Sequence, residues 1–326
     1  MKKFFIILGI LFIAVFVILT GAFIYLKIAY PKVYPAPNLT IEITPQRLER
    51  GKYLANGFAG CIDCHSSRDW TKFSGPVIPG TEGMGGSDIG AVEGGGFVPA
   101  SNITPDKETG IGNWTDGEIF RAITAGVNKN GDALAPMMPY LGFAQMDEED
   151  IKSIIAYIKT LKPIYNKIPE RKLDFPLSII VRTIPQDPQF TKFPDTSDKV
   201  EVGKYYAGAC FICHTPMEKG QPVMEMSYAG GREFSYSDGK VMRSANLTPD
   251  KETGIGSWSK QIFLDKFRKY KSRENLAFKP DEFNSIMSWH FFAQAKEDDL
   301  AAIYDFLMTL KPINNKVEMI GITGVK

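Results

Sequence analysis

The pentapeptide Cys61-Ile62-Asp63-Cys64-His65 recurs 149 residues later as Cys210-Phe211-Ile212-Cys213-His214. Two thiols two residues apart, followed directly by an imidazole, can be tethered to the two vinyl groups of a haem while the histidine reaches the iron. A zinc half-site and a dithiol redox pair use parts of the same pattern. The two pentapeptides consume all four cysteines and two of the three histidines. A zinc site drawn from both would prevent the surrounding regions from folding separately, and a dithiol redox motif has no need of a histidine after its second cysteine. The double occurrence therefore points to two covalently bound c-type haems, tethered through Cys61, Cys64, Cys210 and Cys213, with His65 and His214 on the iron.

The motif is part of a longer repeat. Asn102-Ile-Thr-Pro-Asp-Lys-Glu-Thr-Gly-Ile-Gly-Asn-Trp114 returns as Asn246-Leu-Thr-Pro-Asp-Lys-Glu-Thr-Gly-Ile-Gly-Ser-Trp258. Its proline and two glycines predict a fixed loop. Thr115 and Glu118 then form a capping-box pattern ahead of the apolar face Ile119, Phe120 and Ile123, which Phe263, Leu264 and Phe267 repeat. A last helix closes each half, with Ile151, Ile154, Ile155, Ile158 and Leu161 on one stripe and Leu300, Ile303, Tyr304, Leu307 and Leu310 on the other. Strand patterning is almost absent. Gly80 to Gly96 lacks the strand before and the Lys-Ser/Thr after that a phosphate loop needs, and is expected to be a long flexible surface insertion.

Phe4 to Leu26 is 23 residues without a charge, enough to cross a bilayer at about 1.5 Å per residue. The run is expected to be a retained single-pass anchor; a cleaved signal peptide is the competing reading. Because c-type haem is attached outside the cytoplasmic membrane in bacteria, the haem-bearing part is expected on the periplasmic side. The expected organisation is an anchor at 1–29, a proline-rich spacer at 30–44, a haem domain at 45–164, a connector at 165–198, a second haem domain at 199–315 and a tail at 316–326. The apolar run Leu177 to Ile184 is too short to span a bilayer and is expected to pack between the domains. A net charge of +1 gives no overall attraction to nucleic acid. The basic run Lys266 to Arg273 reads as solvated surface, with docking of an acidic redox partner as the alternative.

The sixth iron ligand decides between electron carriage and chemistry at an open metal. Met138 lies 77 residues after Cys61, and Met287 lies 77 residues after Cys210. Met137 is adjacent, but its counterpart is Ile286, which cannot bind iron, so the repeat selects Met138 and Met287 as ligands. His290 corresponds to Leu141 and shares no repeated role.

With these marks, and Met138-Pro139-Tyr140 before the acidic start Asp147-Glu-Glu-Asp150, the sequence resembles the cytochrome c subunits of membrane-bound bacterial alcohol and gluconate dehydrogenases. The helical repeat and the apolar first run lead to the fold expected here, mainly α, with two tandem class I-like cytochrome c domains after an N-terminal transmembrane helix. The resemblance implies thioether bonds and ligands at the residues named above. Those subunits usually carry three haem domains and a C-terminal anchor, whereas two domains and an N-terminal anchor are expected here. The function expected is electron transfer between a dehydrogenase or quinol-linked donor and a terminal acceptor such as an oxidase or another cytochrome, without catalytic activity of its own. A diheme peroxidase is the alternative, and it requires that Met287 leave the iron.

Overall fold

The computed structural model describes residues 1–91, 96–218, 220–235, 240–277 and 283–322. Helix α1 (Lys2–Ala29) has no buried residue. It is long and apolar enough to cross a membrane. Most of the regular structure in the rest of the chain is helical, and each half is built on one helix crossing.

In the first half α2 (Pro45–Ala55) leads to the one-turn α3 (Cys61–Cys64), and strands β1 (Asp88–Ala91) and β2 (Gly96–Pro99) follow. Next come α4 (Asp116–Ala125), α5 (Tyr140–Phe143), α6 (Glu148–Ile158), β3 (Lys172–Leu173) and α7 (Leu177–Ile180). The second half contains α8 (Lys199–His214), the hairpin β4 (Met217–Glu218) and β5 (Gln221–Pro222), β6 (Glu233–Ser235) and β7 (Lys240–Arg243). It closes with α9 (Lys260–Arg268), α10 (Trp289–Phe292), α11 (Glu297–Leu307) and β8 (Ile320–Ile322).

Glycine makes both crossings possible. A Cβ on Gly51 of α2 would lie 1.8 Å from Ser153 O of α6, and one on Gly203 of α8 would lie 1.9 Å from Ala302 O of α11. Alanine ordinarily stabilises a helix interior by about 1 kcal/mol relative to glycine. Gly203→Ala is expected to do the reverse, costing at least the ~1–3 kcal/mol of an overpacked core, because the obstacle is backbone. Gly208 of the same helix has open space at its Cβ position, so Gly208→Ala should be neutral or stabilising. Thermal unfolding of the two variants that ranked them in the opposite order would refute this account of the crossing.

The apolar stripes are buried as their spacing predicts: Ile151, Ile154, Ile155 and Ile158 in α6, and Leu300, Ile303 and Leu307 in α11. Thr115 and Glu118 form the capping box at the start of α4. The repeated loop is held by its own side chains and by the segment after the last helix. Asn102 Nδ2 donates to Ile164 O at 2.8 Å, and Asn246 Nδ2 donates to Ile313 O at 2.8 Å. These bonds tie each Lys-Pro-Ile segment back to the loop.

The expectation of almost no strand is corrected. Two small antiparallel sheets, ordered β1-β2-β3 and β6-β7-β8, border the two halves. Their strands are short, and each third strand arrives from after the long closing helix, α6 or α11, so no local alternation announces them. Ile320–Ile322 pairs with β7, so the segment from residue 316 is not simply a tail. Nor is the glycine-rich stretch a loose insertion. Gly85 N–H donates to His65 O at 2.8 Å, and a Cβ there would lie 2.5 Å from the carbonyl carbon of Ser101. Residues 92–95 of that stretch lie outside the described residues.

The halves meet through a reciprocal pair of tyrosine contacts. Tyr205 OH donates to Asp150 Oδ2 at 2.6 Å and accepts from Asp147 N at 3.1 Å. In the reciprocal contact Tyr53 OH donates to Asp299 Oδ2 at 2.5 Å and accepts from Lys296 N at 3.1 Å. Arg50 breaks the symmetry: its guanidinium grips Asp150 with two bonds of 2.7 Å and stacks against Phe193, 4.7 Å from the ring centre. One apolar cluster runs through both halves. The apolar run expected between the domains lies elsewhere. Arg182, at its end, donates to Lys27 O at 3.0 Å and to Tyr30 O, joining this run to the end of α1. The later Phe193 enters the interface.

Candidate functional site

The two motifs sit on different local structures and present the same imidazole. Gly60, at φ 61°, turns the chain into α3, whereas Cys210 to His214 form the last turn of the longer α8. His65 Nδ1 lies 2.7 Å from Ser101 O, and His214 Nδ1 lies 2.7 Å from Ala245 O. A carbonyl oxygen only accepts, so Nδ1 carries the proton in both and the Nε2 lone pair is left for a metal. Burial lowers both imidazole pKa values, which keeps them neutral.

All four cysteines are free thiols. Cys61 and Cys210 are half-buried, and burial pushes both thiols up to about 12, while Cys64 and Cys213 are exposed. A dithiol redox pair needs the opposite, a thiolate stabilised near neutral pH. Among the described residues no three His, Cys, Asp or Glu side chains converge on a common metal point. One motif lies in each half.

Met138 and Met287 occupy matching backbone positions. Met138 O accepts from Tyr140 N, and Met287 O accepts from Trp289 N, both at 2.8 Å. Both methionines are partly buried against the apolar core; among the described residues Met137 is not part of that packing, and Ile286 is exposed. Two residues from Met138, the Tyr140 hydroxyl is buried without a hydrogen-bond partner, as is Arg171 Nη1. The two groups interact electrostatically, Arg171 opposing the upward push of burial on Tyr140. A haem fits this donor set. It needs paired thiols, a neutral imidazole with a free Nε2 and a thioether, and its carboxylates are acceptors of the kind these two groups lack.

His290 Nδ1 lies 3.0 Å from Tyr270 O. The basic run is partly consumed by the fold. Arg268 pairs with Asp265 at 3.0 Å and with Glu297, and Arg273 donates to Val77 O at 2.8 Å. Lys266 and Lys269 lie over the rings of Trp258 and Tyr270.

Sequence reasoning missed the groups between the halves. Tyr53 and Tyr205 both end a Gly-Lys-Tyr triplet, a repeated signal that could have found them. Asp63 lies inside the first motif, and its carboxylate accepts from Ser288 Oγ, next to Met287. Nothing local to either segment signals that bond.

No family model matches the chain. The chain is 27% identical over 281 residues to the cytochrome c subunit of a quinone alcohol dehydrogenase from Gluconacetobacter polyoxogenes, covering 82% of this chain and 56% of that protein. It is 29% identical over 277 residues to the gluconate 2-dehydrogenase cytochrome c subunit of Pantoea cypripedii, covering 81% and 59%. A diheme cytochrome c-type protein of Cereibacter sphaeroides is 29% identical over 165 residues, 48% of this chain and 53% of the relative. The chain spans about half the length of the curated relatives it matches. Its mostly helical fold, its two Cys-x-x-Cys-His motifs and this similarity along four-fifths of its length make it a relative of the cytochrome c subunits of bacterial alcohol and gluconate dehydrogenases.

Proposed function

We propose that the chain is a membrane-anchored diheme c-type cytochrome that carries electrons from a dehydrogenase or quinol-linked donor to a terminal acceptor, an oxidase or another cytochrome. The observation that carries this reading is the matched pair of histidines, each with Nδ1 bound to a backbone carbonyl at 2.7 Å and Nε2 left free, in two separate sites. In this reading residues 45–164 and 199–315 are two tandem class I-like cytochrome c domains. Helix α1 stays in the membrane, and both domains lie on its periplasmic side.

A haem supplies a one-electron iron couple, and the residues around it set its potential and access. Cys61 and Cys64, and likewise Cys210 and Cys213, would hold one haem each through thioether bonds. His65 and His214 would bind iron, their rings oriented by Ser101 O and Ala245 O. Met138 and Met287 would supply thioether ligands and raise the potentials. The apolar core behind both sites excludes water. The reciprocal tyrosine bonds hold the two sites in one fixed arrangement.

The test is chemical. The purified chain is expected to keep its colour through acidic acetone extraction and to exceed the polypeptide mass of 36.3 kDa by two haems, because thioether bonds survive denaturation. A mass equal to that of the bare polypeptide would sink this proposal.

A further inference from the structure

The two halves differ in length in a compensating way. Between the haem motif and the repeated loop there are 41 positions in the first half, from Cys61 to Asn102, and 36 in the second, from Cys210 to Asn246. Between that loop and the methionine there are 36 in the first half and 41 in the second. The two longer segments meet. Phe73 stacks on Tyr270 with centroids 5.0 Å apart, Phe73 N donates to Leu276 O at 2.8 Å, and Asn284 Nδ2 donates to Lys72 O at 3.0 Å.

Ser74 is the centre of this contact. It is 1% exposed and adopts φ 64°, a left-handed backbone that a non-glycine residue takes up only when its surroundings hold it there. Arg68 provides that hold, with Nη2 donating to Ser74 O at 2.6 Å and Nε to Gly75 O at 2.6 Å. So placed, Ser74 Oγ donates to Met287 O at 2.5 Å and accepts from Trp289 N at 3.0 Å, while Ser74 N donates to Asn284 Oδ1 at 2.7 Å. Asp63 holds Ser288 between them. The backbone from Met287 O to Trp289 N is thus tied to the first half, and the Asn284 side chain ties the segment before Met287. Met138 has no such tie among the described residues; its N–H donates to Ala135 O of its own half at 3.0 Å.

We propose that Ser74 is a positioning residue for the opposite site: through it the first half fixes the Met287 loop and so sets the sulfur ligation and potential of the second haem. The inference rests on Met287 being an iron ligand. Methionine raises the potential by favouring ferrous over ferric iron, so a loosened loop lowers it. The two haems are then unequal because only one distal loop is braced from across the interface.

Ser74→Gly is the direct test, since glycine adopts this φ freely and only the hydroxyl is lost. In a spectroscopic redox titration of the full-chain holoprotein, one potential is expected to fall, by about 59 mV for each tenfold loss of the ferrous preference, while the other stays. Asn284→Ala attacks the same contact from the second half and should move the same potential. In a Met138→Ala background the remaining sulfur-to-ferric-iron band belongs to Met287, and Ser74→Gly should weaken it. Unchanged potentials and an unchanged band in both the Ser74 and the Asn284 variants, each with two haems bound, would overturn the role of Ser74 alone. Loss of the whole sulfur band in Met138→Ala alone would instead overturn Met287 as a ligand, and this inference with it.

Discussion

Replacing Met138 with alanine is expected to remove about half of the weak charge-transfer band of ferric, methionine-ligated haem and to lower one of the two potentials, because thioether ligation raises the potential. Met137→Ala should change neither. The prediction rests on backbone geometry as well as on the repeat: Met138 and Met287 each accept from the N–H two residues on at 2.8 Å, and both pack on the core. Absorption at the near-infrared edge, read with a redox titration, tests it. A band intact in Met138→Ala and halved in Met137→Ala would transfer the ligand to Met137.

Asp150→Ala is expected to be the most destabilising change at the interface, by about 3–5 kcal/mol. The Asp150 side chain is 8% exposed and takes two bonds of 2.7 Å from Arg50 and one of 2.6 Å from Tyr205. Its loss strands the Arg50 guanidinium between Phe193 and Tyr206 with only the Tyr206 hydroxyl at 2.7 Å as partner. Arg50 is 28% exposed, so water recovers part of the loss and the lower end of the range applies. Asp299→Ala removes the symmetric bond from Tyr53 without stranding a cation, and should cost about 1.5–3 kcal/mol. Urea unfolding of the detergent-solubilised holoprotein, followed by circular dichroism, measures both. Equal losses would show that Arg50 contributes nothing beyond the tyrosine bonds.

The candidate site was legible because covalent attachment demands residue types at fixed local spacing. Cys-x-x-Cys-His is such a pattern, and the identical step of 77 residues to Met138 and Met287 extends it without any structure. The helices were legible for a similar reason. The Ile151 to Ile158 stripe and the Thr115–Glu118 capping box are short-range features, and both appear where the sequence places them. The strands were not, because β3 and β8 reach their partners from beyond the long closing helices α6 and α11.

The sequence by itself determined the two Cys-x-x-Cys-His motifs, the matching methionines, the apolar first helix and the helical repeat, since each depends on neighbours within a few turns or on self-similarity. The tertiary structure alone decided how the halves meet. Tyr205 on Asp150, Tyr53 on Asp299 and Ser74 on the Met287 loop join residues 55, 246 and 213 positions apart. The physical reason is that a buried charge or hydroxyl must find a partner wherever the packed surfaces bring one. That partner's identity is set by the docking of the two surfaces and is not encoded in the spacing along either segment.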